Sequence, residues 1–176
     1  MFRIFLHEIS HIYCIVNEIG GENFFDKYCR VEQGIDLGVI NAGYAVWREA
    51  IADIMAHLVD PYSGRYNLNY VKNNVLELYN DICAIDGQSK KAMSLIIVYI
   101  MITDEVLRAK NWKSVCEKVK KVIDINDETL YLLLELVYDN LHNGDYWTIS
   151  TDFIFSLGDL YLMILVNKKF RRNIFG

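Results

Sequence analysis

The chain has 176 residues, 53% of them hydrophobic and 13% aromatic, enough apolar material for one domain with a sizeable core and too much for a disordered tail. A net charge of −5 excludes a surface dedicated to nucleic acid, which needs an excess of Lys and Arg on one face. One proline and ten glycines leave few obligatory breaks, and apolar residues recur mostly at three- and four-residue spacing. The expectation is a mainly α protein with at most a few short strands.

Taken in chain order, the first helix is predicted over residues 1–18, with Gly20-Gly21 as its stop. A segment of mixed pattern follows over 22–41, with glycines at 34 and 38. The second helix is predicted over 43–60, with Trp47, Ile51, Ile54, Met55 and Leu58 as its apolar stripe and Pro61 ending it. Beyond the turn-like Tyr62-Ser63-Gly64-Arg65, helices are expected over 69–84, 89–109 and 112–122, with Asp86-Gly87 separating the first two. Asp127 is a candidate N-cap for a helix reaching His142, Asn143-Gly144 its stop, and Ser150 or Thr151 caps a last helix to about residue 167. The organisation is a site-bearing part over 1–62 and a helical remainder over 63–176, packed on the same core.

Cys14, Cys29, Cys83 and Cys116 lie far apart without a CxxC pair, and no charged leader precedes an apolar stretch with a cleavage site. They read as free thiols of a cytoplasmic protein. The apolar runs 93–102 and 153–166 are ten and fourteen residues long, short of the roughly 18–20 that a membrane span needs, so both are expected to be core helices and no membrane partner is expected. The basic residues Arg108, Lys110, Lys113, Lys118, Lys120 and Lys121, and the tail 168–172, are read as a solvated face.

The chemistry begins at His7-Glu8-Ile9-Ser10-His11. Residues four apart on a helix lie roughly 40° apart around the axis, so both imidazoles can reach one metal ion. Glu8 sits on the shoulder of that face, where a carboxylate can act on metal-bound water without being a ligand. An HExxH string arises by chance in roughly one in two hundred chains of this length, and two exposed or capped histidines are the alternative.

The second element is Trp47-Arg48-Glu49-Ala50-Ile51-Ala52-Asp53-Ile54. Glu49 and Asp53 are one turn apart on a face flanked by apolar residues, where carboxylates need a partner. That partner is either a metal ion, with Asp53 accepting the ring N–H of a ligating histidine, or a cation such as Arg48. His57 is two turns beyond Glu49, too far along to be a fourth ligand, and Cys14 shares the His7 face but reads as a free thiol.

Together, His7-Glu8-Ile9-Ser10-His11 and Glu49-Ala50-Ile51-Ala52-Asp53-Ile54 resemble the gluzincin clan of zinc metallopeptidases, whose thermolysin branch carries HExxH and then a Glu-Ala-Ile-x-Asp-Ile helix. The pattern Ala52, Asp53, Ala56 is also similar to the ImmA/IrrE type of metallopeptidase. The resemblance covers residues 3–61 and implies a zincin-like pair of active-site helices followed by a helical bundle. It implies Zn²⁺ as cofactor, His7, His11 and Glu49 as its ligands, Asp53 as the group orienting His7, and Glu8 as the general base in hydrolysis of a peptide or protein substrate. The oxyanion donor stays open among Tyr62, Tyr66, Tyr70, His57 and His142.

The gap from His11 to Glu49 is 38 residues (49 − 11), longer than in thermolysin. Only six residues precede His7, whereas zincins carry strands ahead of the active-site helix, so the expectation is an N-terminally incomplete fragment or a misassigned start. Two alternatives to a peptidase stand beside it: a catalytically inactive zinc-binding helical interaction module, and an intracellular regulator that cleaves or binds a transcription factor.

Overall fold

The computed structural model describes residues 2–16, 35–60, 64–82, 88–142 and 149–175. They form eight helices: α1 (Phe2–Val16), α2 (Ile35–Val59), α3 (Leu68–Asp81), α4 (Ser89–Met101), α5 (Asp104–Leu107), α6 (Trp112–Ile123), α7 (Glu128–His142) and α8 (Thr151–Phe175). The protein is mainly α, as its periodicity predicts. Among the described residues there is no strand, and a lone parallel bridge joins Tyr66 to Thr103.

Side-chain caps set several of the boundaries. Asn67 accepts the Tyr70 amide at 2.9 Å to start α3, and Asn111 accepts the Ser114 amide at 2.9 Å to start α6. Asp124, at φ 58°, turns the chain left-handed after α6. Asp127 Oδ1 accepts the Thr129 amide at 3.0 Å ahead of α7, and Ser150 Oγ accepts the Phe153 amide at 3.1 Å ahead of α8.

Two boundaries differ from the sequence reading for physical reasons. The helix expected over 89–109 breaks at Thr103, whose hydroxyl donates to the Ile100 carbonyl at 2.8 Å, while Tyr66 O accepts the Asp104 amide at 2.9 Å. The bridge to Tyr66 thus captures backbone groups that would have continued the helix. The second helix starts at Ile35 rather than 43, because Gly38 and Gly43 are interior helical residues. A Cβ on Gly43 would run into the Ile154 carbonyl oxygen and lie 2.7 Å from the Gly158 amide nitrogen; one on Gly158 would run into the Val39 carbonyl oxygen. These glycines let α2 and α8 approach backbone to backbone.

Helix α2 is the centre of the architecture, packing against α1, α4 and α8; α3 packs on α4 and α6, and α7 on α8. One buried apolar cluster runs from Cys14 through Val46, Trp47, Ile51 and Ile54 of α2 to Ile96 and Ile97 of α4, Leu134 of α7 and Leu157 of α8. The apolar runs expected as core helices each bury one side: Met93, Ile96, Ile97, Ile100, Ile154, Leu157 and Ile164 are fully buried, while Met163 and Val166 of the second run are exposed. Leu58, expected on the α2 stripe, is exposed instead, because the end of α2 is covered on the side of Ala56 and His57, which are buried. Among the described residues, no helix is long and apolar enough to cross a membrane.

Three members of the basic run are in ion pairs: Arg108 with Asp104 at 3.5 Å, Lys118 with Glu105 at 3.2 Å and Lys120 with Glu128 at 2.8 Å. Pairs near the surface add little stability.

Candidate metal centre

The HExxH stretch is helical because nothing in residues 2–16 interrupts it, and Ser10, its least helix-prone member, turns its hydroxyl back to the Leu6 carbonyl at 2.8 Å. His7 and His11 therefore project from one face of α1 onto α2, where Glu49 and Asp53 project one turn apart. Ala52 and Ala56, which share the face of Glu49 and Asp53, are fully buried small residues.

The four side chains meet. His7 Nε2 lies 2.9 Å from His11 Nε2 and 3.7 Å from Glu49 Oε2, and His11 Nε2 lies 3.8 Å from Glu49 Oε1. His7 Nδ1 is 2.9 Å from Asp53 Oδ1. An ionised carboxylate only accepts, so Nδ1 donates to Asp53, and Nε2 is the ring atom turned toward His11 and Glu49. Burial pulls His11 below the ordinary histidine value, with the Glu49 carboxylate opposing and His7 and Arg48 assisting. A neutral ring keeps a lone pair available.

These distances can be compared with what a metal requires. Two donors each ~2.0–2.1 Å from a tetrahedral zinc are separated by ~3.3 Å. The observed separations of 2.9, 3.7 and 3.8 Å bracket that value. Among the described residues, His7, His11 and Glu49 form the one group of three such side chains whose donor atoms all lie within 4.8 Å. Two imidazoles, one carboxylate and a carboxylate behind one imidazole make a donor set suited to zinc. The side chains are a fifth to a third exposed, at 19%, 20% and 32% for His7, His11 and Glu49, so one side of the cluster is open to solvent.

Arg48 also reaches the cluster, 3.1 Å from Glu49 Oε1. Both sequence readings of the acidic pair thus find a counterpart: Glu49 has a cationic neighbour, while Asp53 turns to His7. Glu8 is exposed on the shoulder of α1, close enough for its charge to act on His11.

The other candidates lie elsewhere. His57 is buried with its ring 5.4 Å from that of Tyr66, and Tyr66 is 5.2 Å from Tyr70, so these three form an aromatic group of their own. His142 stacks on Tyr138 at 3.7 Å, with Nδ1 3.1 Å from the Tyr138 carbonyl oxygen. Tyr62 lies outside the described residues. Cys14 is a free, buried thiol 4.0 Å from the Met55 sulfur, pushed to a higher pKa by burial, and Cys116 is also free; Cys29 and Cys83 lie outside the described residues. Sequence reasoning missed the close contact of Gly43 and Gly158 that positions α2, although two glycines inside apolar helical stretches are a signal for it.

No family model matches the chain, and neither do any curated protein or solved structure.

Proposed function

We propose that the protein is a zinc metallopeptidase of gluzincin type, with His7, His11 and Glu49 as metal ligands, Asp53 orienting His7 and Glu8 as general base. The observation that carries this reading is the meeting of three lone-pair donors from two helices, with Asp53 fixing the tautomer of His7. Bound there, zinc would supply a Lewis acid that makes water nucleophilic near neutral pH. The chain's own groups do the rest. Asp53 holds the His7 ring against rotation, and burial favours the neutral ring of His11. Glu8 takes a proton from the attacking water and delivers it to the leaving amine.

Glu8→Gln separates binding from chemistry. It should keep its zinc and lose cleavage of casein or a peptide library by about 100-fold or more. If wild type and Glu8→Gln hold zinc equally and are equally inert, the second reading wins, a zinc-binding helical interaction module without catalysis. One observation favours that second reading: among the described residues there is no strand edge with which a substrate backbone could pair.

A further inference from the structure

The three donor residues of the metal centre are not equally constrained. His7 turns Nε2 toward the cluster because its Nδ1 is engaged by Asp53 at 2.9 Å. Glu49, by contrast, carries two chemically identical oxygens, and each has a histidine nitrogen at nearly the same distance: Oε2 lies 3.7 Å from His7 Nε2, and Oε1 lies 3.8 Å from His11 Nε2. The histidines alone therefore do not decide whether a metal ion takes one oxygen of Glu49 or both. The choice matters chemically. One oxygen gives three protein donors and leaves a position open to water, as catalytic zinc sites do, whereas both oxygens give four protein donors, the number found in closed structural sites.

Arg48 breaks this symmetry. Its Nη2 lies 3.1 Å from Oε1, the oxygen on the His11 side. A guanidinium is always charged and can only donate, so it engages the lone pairs of Oε1 in a charge-assisted hydrogen bond and leaves those of Oε2 to the metal. At 49% and 32% exposure the pair adds little to the stability of the fold. Its effect is on which ligand atom is free. Arg48 also sits outside the core, although Val46, Trp47 and Ala50 beside it on α2 are buried.

We propose that Arg48 is a positioning residue that holds Glu49 as a one-oxygen ligand through Oε2 and so keeps one coordination position of the metal open. Asp53 behind His7 and Arg48 behind Glu49 then form a matched pair of supports, one for each ligand they touch. The inference rests on the zinc-centre part of the reading above and is independent of Glu8 and of peptide hydrolysis.

The test is the infrared difference spectrum between the zinc-loaded and metal-free full chain, because the two C–O stretches of a carboxylate lie far apart when one oxygen binds a metal and close together when both do. The pair of bands absent from Glu49→Gln is that of Glu49. Wild type should show the wide separation. Arg48→Ala, an exposed replacement well suited to a helix, should bind zinc with unchanged circular dichroism and show a narrowed separation as Oε1 joins the metal. Arg48→Lys keeps a charged donor and should stay near wild type. Equal separations in wild type and Arg48→Ala, or a narrow one already in wild type, would overturn the role of Arg48 while leaving the centre in place. A wild type that takes up no zinc by elemental analysis is a failure of the centre itself, and this inference falls with it.

Discussion

The two helices that form the candidate centre are built very differently. Helix α2 is enclosed by α1, α4 and α8, with Val46, Ala52 and Ala56 fully buried and Gly43 pressed backbone to backbone against α8. Helix α1 leans on α2 with one side and exposes Phe5, Ile9, Ile12 and Val16 on the other. Glu49 and Asp53 are thus fixed by the scaffold, whereas His7 and His11 are placed by a docked helix. A metal ion held between them would tie the docked element to the rigid one, so that metal binding and docking of α1 reinforce each other.

The sharpest way to break this contrast is at the rigid side. Gly43→Val or Gly158→Val forces a side chain into backbone, and the expected loss is about 3 kcal/mol or more, a fall in Tm of roughly 10 °C by differential scanning calorimetry. An unchanged Tm would mean that α2 and α8 are not in that contact. The next effect belongs to the docked side: zinc at about 100 times its Kd should stabilise the protein by about 2.7 kcal/mol. Amide exchange in α1 should slow with zinc, while exchange in α3 and α6 stays as it was. Uniform slowing would erase the distinction between the two helices. A smaller effect is expected at the link between them, since Asp53→Asn leaves the ligands in place and weakens only the hold on the His7 ring. Zinc affinity should fall roughly 10–100-fold by competition with a chelator, and no change would remove Asp53 from the account.

Much of the centre was legible in the sequence because helical periodicity alone decides which residues share a face. His7 with His11, and Glu49 with Asp53, are each one turn apart, and folding had only to bring the two faces together. The caps at Asp127 and Ser150 were legible for a similar local reason, since a short polar side chain ahead of an apolar run satisfies the first free amides. What sequence could not give depends on contacts between distant segments. Gly38 reads as part of a mixed segment and Gly43 as the start of a helix, yet both lie inside α2, and at 43 the backbone of Gly158, far along the chain, leaves no room for a side chain. The apolar run after Met93 reads as one helix past residue 103, because nothing local announces the bridge to Tyr66. His57 is buried against Tyr66 on the same helix on which Leu58 is exposed, an inversion set by which neighbours reach the end of α2.

The most direct test of the central claim is the zinc content of protein purified without chelator, measured by elemental analysis beside Glu49→Ala and His11→Ala. One zinc per chain in the wild type, lost in both variants while their circular dichroism stays helical, is the expected result. A folded wild-type protein that contains no zinc and takes up none when it is added would contradict the centre altogether.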